Sequence, residues 1–233
     1  MKETDVKSNR PVYRFEWRGR LDGGDEAARQ AALAACKENA AREIREGRLM
    51  TAALYYYGRQ LFLYYEALGE PCGPESFMAP LEPLLARWPE KEETTPWAAM
   101  YPIYWHNLPQ GEADWRRPVR PERRRGRIAL LKHETMFEYC YHHFAIVQEG
   151  LLLGDKYQFI SLHEDILFSY FEEPRTNVNI RRDPTQPSKA IDAWTAVDPE
   201  AHFERLPGST GNFLFLPDYF NLGQEDVCPP EEQ

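Results

Sequence analysis

No apolar run in the sequence approaches the roughly 20 residues that a membrane-spanning helix requires, so no membrane span is expected. The opening stretch, MKETDVKSNRP, is polar and has no apolar segment behind it, so no secretory signal peptide is expected. A basic excess is missing too. The formal net charge is -9, the wrong sign for a general nucleic-acid-binding surface. Cysteine is scarce: Cys36, Cys72, Cys140 and Cys228 lie far apart and form no CxxC pair. Reduced thiols in a cytoplasm are the simplest expectation. Metal-ligand spacing such as HExxH is absent, so no metal is expected.

What the chain does hold is enough apolar material for a core. It has 233 residues, 42% of them hydrophobic and 13% aromatic, which sets it apart from disordered chains. That length suits one large domain or two of about 100 residues each. The chain divides near QGEADWRRPVRPERRRGR (110–127). Clustered arginines and prolines argue against a buried element, so this stretch reads as a linker or solvated crossover. A phosphate-binding patch is the other reading.

The two sides of this stretch follow one order. Before it, VYRFEWRGRL (12–21) alternates as a half-buried strand does. Residues 25–47, rich in Ala, Glu and Arg and stopped at Gly47, predict a helix. LMTAALYYYGRQLFLYYEAL (49–68) reads as a hairpin broken at Gly58-Arg59. Residues 73–89 suggest a second helix entered near Pro74, and WAAMYPIYW (97–105) a closing strand. After the divide come a strand (127–133), a helix (134–150), a hairpin around His163-Glu164, a helix (188–206) and a strand (211–217). RQLFLYYEAL (59–68) and EDILFSYFEE (164–173) show the correspondence best.

The expected fold is therefore α+β. Two ferredoxin-like βαββαβ repeats, 11–109 and 126–222, flank a basic linker at 110–125. Helices cover one face of each antiparallel sheet. The Tyr-rich strands suggest that the two remaining faces pack together into a pseudo-dimeric α+β barrel; two unrelated small domains are the alternative.

One helix carries candidate chemistry, in the stretch EYCYHHF (138–144). At about 100° per residue, a buried face centred on Cys140 takes in Phe137, Phe144, Val147 and Leu151. His142 then points to solvent, while Tyr139 and His143, four apart, stack at the edge of the apolar stripe. An imidazole titrates near neutrality and can pass a proton, and a phenol can hold it or donate to an oxygen. A Tyr and a His four apart also occur as plain packing residues. His106, at a strand end, His133-Glu134, at a helix start, and His163, in a turn, read as structural or exposed. The tyrosines at 55–57 and 63–66 read as sheet packing, and the polar loop 174–187 as a cover or a surface insertion.

The second half resembles the L-rhamnose mutarotases, small dimeric α+β barrel enzymes. The resemblance rests on EYCYHH with Tyr139 and His143, on YQFISLHEDILFSYFE (157–172), on Trp194 and on FLFLP (213–217). It implies anomer exchange of a free sugar such as L-rhamnose without cofactor. His143 would be the acid/base, Tyr139 its partner, and Tyr157 and Trp194 pocket walls. The first-half helix has neither the Tyr nor the His, so that half would be scaffold, and tandem duplication would supply both halves of a family dimer. The second half also lacks the late Trp of the family's second helix, which puts the sugar in doubt. The chain could act as a monomer or a homodimer. A haem-dependent or cofactor-free oxygenase of the same barrel is the alternative activity, with His143 as axial ligand in the haem case. A non-catalytic sugar-binding scaffold is the other alternative.

Overall fold

The computed structural model describes residues 9–175, 181–182 and 185–228. Strand β1 (Val12–Arg20) leads into helix α1 (Glu26–Arg45). The helix starts where the Asp25 carboxylate accepts from the Ala28 N–H at 2.8 Å. Strands β2 (Leu49–Tyr57) and β3 (Gln60–Leu68) form the expected hairpin, turned at Gly58 with φ 58°. A single turn, α2 (Glu75–Met78), and a short hairpin, β4 (Trp88–Glu90) and β5 (Glu93–Thr95), lead to β6 (Ala98–Ala99) and β7 (Tyr101–Trp105). The turn α3 (Glu112–Trp115) bridges to the second half: β8 (Arg123–Leu131), α4 (Met136–Glu149), β9 (Leu152–Leu153), β10 (Phe159–His163) and β11 (Ile166–Glu173). Then follow β12 (Arg181–Arg182), α5 (Lys189–Ala196), β13 (Phe203–Glu204), β14 (Leu214–Phe215), β15 (Asp218–Gly223) and α6 (Gln224–Val227).

The strands form two main antiparallel sheets, ordered β15-β2-β3-β1-β6 and β13-β8-β11-β10-β7, with β14 also on β8. The order repeats because each half lays its third strand between its first and second. Each half's closing segment is shared. β6 pairs with β1 of its own half, and β7 crosses to β10 of the other. Reciprocally, β13 and β14 pair with β8, and β15 crosses to β2. The chain is thus an α+β fold of two ferredoxin-like repeats whose sheets face one another, as the sequence pattern predicts.

Both faces of each sheet are covered. On β1, Tyr13, Phe15 and Trp17 pack into the cluster beneath α1, with Leu33, Cys36, Leu63 and Phe77. The alternate residues Arg14, Glu16 and Arg18 face the opposite sheet. The inter-sheet core joins Tyr55, Phe62 and Tyr64 from one sheet to Ile128, Phe159, Phe168 and Tyr170 from the other.

Three expectations fail. The helix expected over 73–89 shrinks to α2 and a 3-10 turn at Glu82–Leu84, because Pro80 and Pro83 supply no N–H and clash with a preceding turn. The helix expected over 188–206 likewise stops at Ala196, ahead of Pro199. The basic linker is solvated only in part: Val119 and Arg120 are exposed, but its centre and end are drawn into the fold. Trp115 is fully buried, the Arg117 side chain is 3% exposed, and residues 123–125 belong to β8.

The cause is a pair of buried carboxylates. Glu66 on β3 and Glu172 on β11 occupy matching positions, each accepting from the tyrosine two residues before it, Tyr64 at 2.6 Å and Tyr170 at 2.8 Å. The two phenol rings stack at 3.6 Å and 7°. Arg117 reaches between the sheets and donates to Glu66 at 2.6 and 2.9 Å and to Glu172 at 2.6 Å. Trp115 adds an indole N–H to Glu66 at 2.8 Å. Burial alone would raise the Glu66 carboxyl, but the charge and hydrogen bonds of Arg117 outweigh it and hold it at about 2. Removing one member leaves a buried charge without its partner, at a cost of about 3–5 kcal/mol. Arg117→Met is therefore expected to destabilise the fold by that amount in urea denaturation, and a loss below about 1 kcal/mol would contradict this account.

Glu16 is the opposite case. Both its carboxyl oxygens, and the Ser161 hydroxyl near it, are sealed without a hydrogen bond. Burial pushes this carboxyl well above its ordinary value. Above about pH 4.5 the unfolded carboxyl loses its proton while the folded one keeps it, so stability falls as pH rises toward the folded pKa. Glu16→Gln has no proton to lose. It should unfold at a higher temperature than the parent, by a margin that widens from pH 5 to pH 8; a margin independent of pH would show that Glu16 is ionised in the fold.

Candidate functional site

Helix α4 is apolar on both sides, which is why its register could not be read from periodicity. Tyr139, His142, His143 and Ile146 are buried, while Phe137, Tyr141 and Phe144 are exposed. The buried face is therefore not centred on Cys140, and His142 does not point to solvent; it packs against Trp194 at 5.6 Å. The sheet below supplies Tyr104, Ala129, Leu131, Ile160 and Leu167, and α5 supplies Ile191 and Trp194. Two helices on one sheet rotate the buried arc of α4 toward the residues that touch both.

Helix α5 is fixed to the end of α4. The Glu149 carboxylate accepts from the Lys189 N–H at 2.9 Å and pairs with the Ser188 hydroxyl. Ser188 in turn caps the Ile191 N–H at 3.0 Å. A carboxylate at a helix N-terminus is favourable, and this clamp sets Trp194 beside His143.

Tyr139 and His143 stack at 3.9 Å, as the spacing of four predicts. Trp194 and Tyr104 stand edge-on to the imidazole at 4.8 and 5.3 Å. His143 Nδ1 lies 2.9 Å from the Tyr139 carbonyl oxygen. A carbonyl only accepts, so Nδ1 carries the proton and Nε2 is the bare nitrogen. Burial depresses the imidazole to about 4, so it is neutral at pH 7. Among the described residues Nε2 has no hydrogen-bond partner, and it is not one of the sealed polar atoms.

Three further residues, none weighed as site residues from the sequence, complete the wall. Tyr104 on β7 comes from the first half, and burial raises its phenol as it raises that of Tyr139. His202 bonds the Glu138 carboxylate at 3.2 Å and sits 5.3 Å from Trp194. Arg127 on β8 lies two residues before Ala129, hence on the helix-facing side. That alternation was the available signal for it. Its charge acts on both phenols.

Tyr157 does not join this group. Its ring lies under the Arg117 guanidinium at 3.9 Å and against Trp115 at 5.1 Å, beside a cleft of about 470 Å³ also lined by Lys156, Val119 and Glu172. His106 packs 5.1 Å from Tyr104, and its ring lies so close to Gly154 that any Cβ there would overlap Nδ1. His163 is half-buried rather than exposed, held by Arg18 at 3.2 Å, while His133 is exposed. Of the loop 174–187, residues 176–180 and 183–184 lie outside the described residues. No histidine precedes His106 in the chain, and the layer under α1 is filled by Leu, Ala, Cys, Phe and Trp. Among the described residues no cluster of His, Cys, Asp and Glu could hold a metal, and no helix is long and apolar enough to cross a membrane.

No protein-family model matches the chain, and no curated protein matches it. Among solved structures, a provisionally named monooxygenase of Lactobacillus acidophilus NCFM aligns with 92% of this chain and 97% of its own, at 8% identity and TM-score 0.41. One of Fusobacterium nucleatum subsp. nucleatum aligns with 93% and 95%, at 9% identity and TM-score 0.39. An anthrone oxidase-like protein aligns with 93% and 98%, at 10% identity and TM-score 0.33. Likeness at this level identifies neither activity nor substrate.

A depressed imidazole contributes stability above its unfolded value near 6.5, and loses it as pH falls toward about 4. In an NMR titration the His143 ring signals are expected to stay unchanged from pH 8 to 5.5. A His143 midpoint near 6.5 would remove the neutral base.

Proposed function

We propose that this site performs base-catalysed, cofactor-independent oxygenation of a flat, weakly acidic organic substrate. The observation that carries the reading is the neutral His143, its Nδ1 proton tied to the Tyr139 carbonyl and its Nε2 unpartnered among aromatic walls. An imidazole so placed takes a proton without first losing one. Aromatic rings suit a flat substrate and exclude water, which favours charge transfer inside the site.

The chemistry begins with a proton passing from a doubly activated methylene group, or the tautomeric hydroxyl, to Nε2. The electron pair left on the substrate makes an enolate rich enough to reduce dioxygen. One oxygen atom is retained on the former methylene carbon as a ketone carbonyl. The other leaves as water with the two methylene hydrogens, so one substrate and one dioxygen give one ketone and one water. His143 returns its proton in that last step. Tyr139 and Tyr104 stay protonated and can donate to oxygen atoms of the substrate.

The stacked Tyr139–His143 pair also favours a second reading, the anomer exchange implied by the resemblance to L-rhamnose mutarotases. There His143 would shuttle the anomeric proton and Tyr139 would serve the ring oxygen. A hexose offers several hydroxyls and a small apolar face, whereas this wall is mostly rings, so the oxygenase reading is preferred. Haem fits poorly: rings centred 3.9–5.3 Å from the imidazole crowd the side a porphyrin would need.

Oxygen uptake with a panel of anthrones and hydroxynaphthalenes tests the proposal, alongside saturation-transfer NMR of L-rhamnose anomers. The wild type is expected to consume one dioxygen per carbonyl formed, and His143→Ala to slow turnover by about 100-fold or more. Anomer exchange without oxygen uptake would favour the mutarotase reading, and equal turnover by His143→Ala would take the imidazole out of either.

A further inference from the structure

An arginine drawn out of water is ordinarily matched by hydrogen-bond acceptors, and between the sheets this rule holds, Arg14 donating to the Tyr64 hydroxyl at 3.0 Å and to the Tyr157 carbonyl. Arg117 lies between Glu66 and Glu172, and Arg124 pairs with Glu225 and Asp226. Arg127 breaks it. Among the described residues it has no carboxylate partner, and one long hydrogen bond, from Nε to the Ser169 hydroxyl at 3.3 Å, is all its guanidinium makes. Phe213 and Phe171 hold the group by its π-faces at 4.1 and 5.1 Å. The terminal nitrogens are not among the sealed, unpartnered polar atoms. They are unused donors that open onto accessible space.

The surroundings keep this charge uncompensated. Arg175, which shares the Phe171 ring at 4.6 Å, is already paired with Asp155 at 3.1 Å. Tyr104 and Tyr139 are the other titratable groups acting on Arg127, and both stay neutral phenols. Burial, with the repulsion of Arg175, lowers the guanidinium to about 10, still protonated at neutral pH. The same wall carries the neutral His143. Among the described residues no carboxylate is aimed at Arg127.

We infer that Arg127 is the seat of an anionic oxygen on the ligand, and that the ligand class is an aromatic compound bearing a carboxylate, a phenolate or an enolate oxygen. A planar fork with unused donors matches two oxygens or one oxyanion, and the flanking phenylalanines continue a flat surface for the ring system. The inference rests on the proposed site, and it adds selection by charge. In the proposed reaction the enolate oxygen would sit at Arg127, opposite the carbon that gives its proton to His143, so the developing charge is stabilised where it forms.

Binding of unreactive probes tests this apart from turnover. The wild type is titrated with 1-naphthoate and with 1-naphthamide, its neutral isostere, by calorimetry at pH 7. The naphthoate is expected to bind at least tenfold more tightly. Arg127→Met should abolish the difference, and Arg127→Lys, which keeps the charge but not the fork, should restore part of it. His143→Ala should keep the preference, since the base does not hold the anion. Equal affinity for the two probes in the wild type, no binding of either, or an unchanged preference in Arg127→Met would overturn the assignment. Because the comparison of probes uses the unmutated protein, a variant that fails to fold does not blunt it. A protein that prefers naphthoate yet takes up no oxygen would retain the anion seat and lose the oxygenase reading.

Discussion

The ion pairs of Arg117 with Glu66 and Glu172 are the constraint from which the rest of the architecture follows. Two copies of one strand pattern face each other across the molecule, and each brings a Tyr-x-Glu, at 64–66 and 170–172, to the same depth. Stacking the tyrosines brings the two carboxylates into one dry region, where like charges repel strongly. The Arg117 guanidinium between them resolves the conflict, spending its donors on both carboxylates, with the Arg124 guanidinium 3.9 Å from Glu172. In a symmetric homodimer every residue near the axis comes twice. Arg117 can bridge both glutamates as one residue because it lies on 110–125, the segment that joins the copies once.

That asymmetry extends outward. With the sheets locked face to face and their closing strands exchanged, each half keeps a separate helix-covered layer. The first is sealed with Leu33, Cys36, Ala40, Phe77 and Trp97. The second keeps His143, Tyr139, Trp194 and Arg127, where His143 Nε2 and the terminal nitrogens of Arg127 have no partner among the described residues. Tyr104 enters this layer from the crossing strand β7, so the first half furnishes one wall.

The tandem order, the hairpins and the long first helix were legible because each rests on local pattern: alternation, a glycine turn, a run of helix formers. The pairing of Tyr139 with His143 was legible for the same reason. What failed depends on partners distant in sequence. RRPVR reads as solvated until Glu66 and Glu172, some fifty residues away on either side, are placed against Arg117. The face of α4 is ambiguous because Phe137, Tyr141 and Phe144 offer the same spacing of four and three as Tyr139, His143 and Ile146. The choice is made by Trp194, which belongs to another helix. Tyr157 is drawn away from His143 by the cation of Arg117, a contact no local window contains.

Arg117 has a buried side chain and Arg127 is half-buried, and the contrast bears on function. Arg117 is surrounded by acceptors and its charge is cancelled; taking it out of water is repaid within the fold. Arg127 is held by ring faces and a hydroxyl, which recover only part of the same desolvation cost. A fold concerned only with its own stability would do as well with an apolar residue at 127, beside Ala129 and Leu131 on the same face. Retaining a cation there leaves an electrostatic demand that the protein does not meet. The neighbouring imidazole, depressed by the same dry surroundings, is neutral, with its one N–H tied to the Tyr139 carbonyl and Nε2 bare. Under the proposed function, an arginine with unused donors and an imidazole with a bare nitrogen, on one aromatic wall, would be complementary to a ligand that arrives as a weak acid and reacts as its conjugate base.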